Sequence, residues 1–523
     1  MQSQTHSNAQ RLLWAGFMAI LAAGVGFSIR AGILGQWAEQ YGFTMTELGQ
    51  ITGGGLTGFG IIILLSSLIA DKVGYGKLMA AAFITHFISA VLTLGTGAAF
   101  AAGGKPAAYW CLFIGMFLFA IGNGICEAVV NPLVATLFPK KKTHYLNILH
   151  AGWPGGLVIA GIAVILMGGA SWETKLGLIF IPAIIYLVML IRCEFPVQER
   201  VAAGVSYRDM LAEFGFGGAA VVSVLMFLQL DNDFPGNEVA FMILCGAAAV
   251  ALGVYTKSLG RPLMFVLILL MTPLATTEIG TDGWISGIMA NAVTFHAGWI
   301  LVYTSVIMMV LRFYAGPIVH RLQPLPLLIL SCILAIAGLF ALSGASGVGL
   351  IFAAATLYAL GKTFFWPTML GIVSEQTPKG GALTLNSVSG IGMLAVGVLG
   401  FPYIGALQAR KEVSQVASLQ QSQDVPGLVV DGNVSADLLE EKSIYYGTID
   451  YPSLKGEEVE KLLKGQSKET KEAVETAQAG SAQKALANMT IFPLIMLITY
   501  ILLYLYFRSK GGYKPLELSD GAH

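Results

Sequence analysis

Long apolar runs separated by short polar breaks dominate the chain. Each run is about as long as a bilayer is thick: roughly 20 residues at about 1.5 Å each cross a hydrocarbon core of about 30 Å. Fourteen such segments stand at 12–35, 48–70, 77–103, 108–138, 146–169, 174–193, 213–231, 238–256, 262–289, 294–316, 324–344, 347–375, 381–408 and 489–508. One segment breaks the pattern. Residues 409–488 are polar, with charged stretches such as Glu440-Glu441-Lys442, and form a long loop for which a solvated cap or a partly disordered segment is expected. Helical periodicity is plausible within it over 454–487.

Basic residues give the apolar runs a direction. With the N-terminus inside, the short inner segments hold Arg11, Lys72, Lys77, Lys140, Lys141, Lys142, Arg192, Arg200, Arg208, Lys257, Arg261, Arg321, Lys379, Arg508, Lys510 and Lys514. The short outer loops hold Lys105 and Lys175. This asymmetry follows the positive-inside rule and predicts an even number of spans with both termini cytoplasmic, in an inner (plasma) membrane. Composition agrees: 55% of the residues are hydrophobic and 11% charged, against roughly 25% charged in a soluble domain. Mean hydropathy is +0.72. Thirty basic and thirty acidic residues cancel, which gives no sign of a nucleic-acid partner. The five cysteines lie in or beside apolar runs without metal spacing and are expected to be packing residues.

The two ends of the chain echo each other. Ser67 to Lys77 contains Asp71-Lys72-Val-Gly74 after the second span, and Gly316 to Leu322 contains His320-Arg321 at the matching place of the second half. Glu127 stands five residues before Pro132, and Lys362 five before Pro367. Paired features of this kind mark transporters built from repeated bundles. The spans at 213–231 and 238–256 fall between the halves. The organisation expected is a six-helix bundle over 1–195, two inserted helices over 196–260, and a second six-helix bundle over 261–523 that carries the loop at 409–488.

The Asp71-Lys72-Val-Gly74 stretch resembles the loop motif of the major facilitator superfamily, although Ser67 stands where that family usually has glycine and Tyr75-Gly76 where bases are usual. Gly122-Asn-Gly124-Ile-Cys-Glu127-Ala-Val-Val-Asn131-Pro132, with Pro139, Leu146-Asn147 and Gly156, resembles the fourth and fifth helices of the bacterial fucose–proton symporter family. Arg312-Phe313 with Arg321, and Pro367-Thr368, resemble that family too. The resemblance comes in scattered blocks and fails over 200–260 and 409–488. It implies an all-α membrane protein of the major facilitator fold: two six-helix bundles plus two extra central helices, about fourteen spans in all. It also implies a transporter of a sugar-like solute, with Glu127 in the substrate and proton site. That family carries an acid on the first helix, whereas this chain has no Asp or Glu between Arg11 and Trp37.

Ionisable side chains at bilayer depth are costly and therefore functional candidates. Glu127 and Asn131, four apart, share a helix face beside Pro132. Glu127 is the candidate to load and release a proton; an ion pair with Arg30 or Lys362 is the structural alternative. Arg30 cannot shed its proton and needs a partner, an anionic ligand or the outer interface, which makes it a second coupling candidate. Glu278 and Asp282 share a face, with Trp284 two residues on, an arrangement suited to sugar hydroxyls and a sugar's apolar face, or to Na⁺. Lys362, flanked by Tyr358 and Trp366, and Asn147 near His150 and Trp153, complete the expected pocket. The substrate set is then Glu127, Asn131, Asn147, Glu278, Asp282, Trp284, Lys362 and Trp366. His86 reads as structural. Asp71, Lys72, Arg312 and Arg321 are expected at cytoplasmic helix ends, as gating charges. No metal or cofactor is implied beyond a coupling ion, H⁺ or Na⁺.

The function expected is symport of a small polar solute, a monosaccharide above all. An organic-anion or drug exporter would use Arg30 and Lys362, and a solute sensor would bind without flux. An enzyme is not expected: the chain has no HExxH, no GxSxG and no paired histidines.

Overall fold

The computed structural model describes residues 8–518 except positions 291 and 446. Among these, twelve helices are long and apolar enough to cross a membrane, and a bent pair makes a thirteenth. With the 29-residue helix Met45–Val73, every expected segment is helical. In chain order they are α1 (Ala9–Tyr41), α2 (Met45–Val73), α3 (Tyr75–Leu94), α4 (Thr96–Leu137), α5 (Pro139–Leu166), α6 (Trp172–Leu190), α7 (Tyr207–Asn232) and α8 (Glu238–Thr256). Then follow α9 (Pro262–Met289), α10 (Gly298–Phe313 with Ala315–Leu322), α11 (Pro324–Gly344), α12 (Val348–Gln376), α13 (Pro378–Ser418) and α14 (Lys468–Ser509).

Local chemistry sets the helix ends. Thr44 and Glu47 cap α2 reciprocally: Thr44 N donates to Glu47 Oε2 at 2.7 Å, and Glu47 N donates to Thr44 Oγ1 at 3.2 Å. Gly104 (φ 66°) breaks α4 just before Pro106. Small residues let the helices approach closely, as membrane packing requires. A Cβ at Gly156 of α5 would stand 2.4 Å from Leu21 O of α1, and one at Gly24 would stand 2.5 Å from Trp153 O.

The first six and last six helices pack as two halves that meet along α2–α13, α4–α13, α5–α10 and α5–α12. Between them in sequence, α7 packs against α2, α9 and α13, so it flanks the seam of the halves. It is fixed there by Tyr207 Oη, which donates to Leu68 O at 2.9 Å. Outside it lies α8, joined by Ser223 Oγ donating to Cys245 O at 2.7 Å, with Val239, Ile243, Leu244, Val250 and Val254 exposed on an apolar face.

The polar segment is folded. α13 carries on to Ser418, two antiparallel hairpins follow at 429–434 and 439–454, and the expected helicity over 454–487 is realised as Gly456–Leu463 and Lys468–Met489. This cap has its own apolar core, including Val416, Leu428, Leu438, Val459, Leu463 and Val474. Gln483 Nε2 ties it to the second half by donating to Leu342 O at 2.9 Å and Ala345 O at 2.8 Å.

Candidate functional site

Between the halves lies a narrow cleft. Its walls include Phe59, Asn123, Glu127, His150 and Trp153 from the first half, and Glu278, Arg312, Trp366 and Met393 from the second.

Glu127 is buried on α4. Asn131 Nδ2 lies 3.5 Å from its Oε1, and Ser389 and the Trp366 side chain lie beside it. Among the described residues it has no ion-pair partner. Neither Arg30 nor Lys362 reaches it. Asn131 extends the contact in two directions: its Nδ2 donates to Asn386 Oδ1 of α13 at 3.3 Å, and its Oδ1 pairs with His150 Nε2 at 2.9 Å.

The second half holds two ion pairs. Glu278 lies in a π-helical turn of α9, Thr276–Gly280, a distortion frequent at functional sites. Its Oε1 accepts from Arg312 Nη2 at 2.7 Å, and its Oε2 accepts from the backbone N of Trp366 at 3.1 Å. That N–H is available because α12 breaks between Lys362 and Phe365. A helix start presents unpaired N–H groups and a positive dipole end, which suits a carboxylate. Asp282, one turn on, pairs with Lys362, whose Nζ also sits 5.1 Å over the Tyr358 ring. Each carboxylate of the pair that shares this face therefore has its own cation.

Several expectations on placement are corrected. Arg312 does lie in the last turn of Gly298–Phe313, but it is buried against Glu278 and not set at a solvated end. Helix α10 bends by 69° after Phe313, and the short piece Ala315–Leu322 forms the end. Arg30 is buried inside the first half and does not line the cleft. Its Nη2 donates to Ser89 Oγ at 3.0 Å and its guanidinium lies 4.0 Å over Phe119, so it neither meets a carboxylate nor snorkels outward. Asn147 is buried and donates to Thr143 O of its own helix, and Trp284 packs on Phe401; neither lines the cleft. Arg321 is exposed. His86 is held between Asn123 Oδ1 (2.9 Å) and Tyr186 Oη (3.1 Å).

One end of the cleft is closed. Asp71 is paired with Arg200, and Lys72 lies 4.4 Å over the Tyr207 ring. Lys142 meets Glu199 at 2.7 Å. The carboxylate of Glu375 joins α5 to the C-terminal tail: it accepts from Thr143 Oγ1 and from Tyr513 Oη, each at 2.8 Å. Here α5 and α12 touch so closely that a Cβ at Gly371 would lie 2.2 Å from Thr143 Oγ1. Asn386, Ser389 and Glu375 escaped the sequence reading, and Arg200 was read only as an inner-side charge. A polar pair three apart in the apolar α13, Asn386 and Ser389, was the available signal.

Fold and cleft together define a polytopic membrane protein of two helical bundles around a central polar site. Residues 16–401 match the model of the Major Facilitator Superfamily, and the chain belongs to that family. Solved structures share the fold at low identity. The E. coli fucose:proton symporter FucP is 18% identical with a TM-score of 0.51, over 77% of this chain and 92% of that one. The xylose transporter XylE from E. coli is 14% identical with a TM-score of 0.54, over 76% and 91%. The human organic anion transporter MFSD10 is 13% identical with a TM-score of 0.51, over 76% and 93%. No protein of curated function matches by sequence.

Proposed function

We propose that the chain is a secondary active symporter of a sugar or sugar-like neutral solute, coupled to H⁺ or Na⁺ and working by alternating access. The observation that carries this is the charge pattern of the cleft. Arg312 and Lys362 are each neutralised by a carboxylate, while Glu127 faces the cleft with no cation. Balanced ion pairs favour an uncharged, hydroxyl-rich solute, because an anion would have to displace Glu278 or Asp282. A lone buried carboxylate favours proton loading at Glu127. The neighbouring fold of the fucose and xylose symporters supports sugar as the solute class.

In this scheme Glu127, Asn131, Glu278 and Trp366 contact the solute, while Asp282, Lys362, Asn147 and Trp284 shape the pocket from behind. Glu127 couples, and Arg30 acts at a distance as a fixed charge. Asp71, Lys72 and Arg321 belong to the gate at the closed end, and Arg312 joins the halves. The bundles are 1–195 and 261–523, with 196–260 as a flanking pair. The closed end faces the cytoplasm of an inner membrane, with both termini on that side.

The test is flux into proteoliposomes under imposed H⁺ or Na⁺ gradients, with labelled monosaccharides and organic anions, for wild type and Glu127→Gln. Gradient-driven uptake of a neutral sugar, lost or uncoupled in Glu127→Gln, supports the proposal. Uptake of anions alone would replace it with the exporter. Binding without flux would replace it with a sensor.

A further inference from the structure

Pro132, Pro154 and Pro367 lie in helices around the cleft, and each leaves one carbonyl without its helical donor. They have no N–H, so the oxygens of Ala128, His150 and Thr363, four residues earlier, lose the bond a continuous helix supplies. Inside a membrane such a group needs another donor. All three find one in a side chain of the second half. Asn386 Nδ2 donates to Ala128 O at 2.8 Å. Arg312 Nη1 donates to His150 O at 2.9 Å, and its Nε donates to Thr363 O at 2.7 Å. Ala128 and His150 belong to α4 and α5 of the first half, so two of these bonds cross between the halves beside Glu127.

We infer that Asn386 and Arg312 are positioning residues of the transport cycle, docked on the carbonyls that Pro132 and Pro154 release, and that they hold the two halves in the arrangement closed at the α5–α12 end. The inference rests on the alternating-access reading. A carbonyl freed by proline can change partner without unwinding its helix. The halves can therefore part by exchanging Asn386 or Arg312 for water or a solute hydroxyl. In an unbroken helix the same oxygen would already accept the N–H four residues on, and a crossing donor would have to share it. Asn386 also accepts from Asn131, which ties the crossing bond to the surroundings of Glu127.

The experiment uses the full chain in nanodiscs, both faces accessible, with the native cysteines replaced and a reporter Ser374→Cys. Ser374 is buried in α12 at the closed end, beside Lys142 and Thr377. The rate of labelling by a polar maleimide reads how often that end opens. Asn386→Ala removes the donor; Pro132→Ala supplies an N–H that competes for Ala128 O. Each is expected to raise the rate roughly 2- to 10-fold, the range set by one hydrogen bond. Because both act on one bond, the double variant should be no faster than the faster single. Pro154→Ala, tested alone against Arg312, should also raise the rate, and stands in if Asn386→Ala does not fold. Unchanged rates in the folded variants, or effects of Asn386→Ala and Pro132→Ala that multiply, would overturn the inference. No solute enters the assay, so a chain that moves no sugar still gives its answer. Unchanged labelling with intact sugar uptake would sink the inference and leave the proposed function standing.

Discussion

Replacing Glu278 by glutamine keeps its shape and removes the anion that faces Arg312. Arg312 is 1% exposed and stays charged, so the variant leaves a cation in the protein interior with only neutral acceptors, His150 O and Thr363 O. Removing one partner of a buried pair costs about 3–5 kcal/mol. The lower end is expected, because the carboxamide oxygen still accepts from Arg312 or from Trp366 N. Arg312→Gln removes the cation and leaves His150 O and Thr363 O without donors, at about 1–3 kcal/mol each. The double variant therefore remains destabilised, yet by about 3 kcal/mol less than the two singles summed, since the stranded charges are absent. At about 1.4 kcal/mol per decade, that coupling is roughly a hundredfold in the unfolding equilibrium. It is measured by unfolding the four proteins in mixed micelles with increasing dodecyl sulfate, followed by tryptophan fluorescence. Single effects that add to within about 0.5 kcal/mol would refute the buried pair.

Gly156→Val forces α5 off α1, since a Cβ there meets Leu21 O at 2.4 Å; a loss of about 1–3 kcal/mol is expected in the same unfolding assay, and wild-type stability would mean that the helices do not touch there. Val459→Asp places a charge in the small core of the cap. Protease should then cut within 419–467 while the helical bundle stays folded; aggregation of the whole chain would show that the cap does not fold as a separate unit. Trp366→Phe keeps a ring but removes the indole N–H beside Glu127. On the transport reading the pH profile of sugar uptake should move, because only a group near the coupling carboxylate changes; an unaltered profile would separate Trp366 from coupling.

The helices were legible because each apolar run is long and its breaks are short, so hydropathy alone locates the fourteen segments. The site was legible one residue at a time and not as a set of partners. Glu127, Glu278, Asp282 and Lys362 stand out as charges in apolar runs. Their pairing depends on contacts such as Arg312 with Glu278 and Lys362 with Asp282, which lie 34 and 80 residues apart. The helix-end position of Arg312 was legible but its burial was not, because distance from the end of an apolar run measures depth only in a straight helix, and α10 turns by 69° just after it. The cap was underestimated because its composition is polar throughout. Its core needs only a few apolar residues from several short elements, and no single window of sequence contains them.

On the transport reading, the same pairings decide where a charge can change during the cycle. Glu278 and Asp282 each already face a cation, Arg312 and Lys362. Glu127 is surrounded instead by an amide, a hydroxyl and an indole. The Ser389 hydroxyl can rotate to donate to a carboxylate or accept from an acid, so it can serve both forms of Glu127, while the Asn131 amide, whose Oδ1 is held by His150, can only donate. Trp366 links the two environments: its backbone N–H is fixed on Glu278 while its ring lies beside Glu127. Any motion that carries the broken helix α12 away from α4 therefore removes a donor from Glu127 while leaving the ion pairs of the second half intact. A proton on Glu127 and the relative position of the halves are then two descriptions of one equilibrium, which is the condition a symporter must meet.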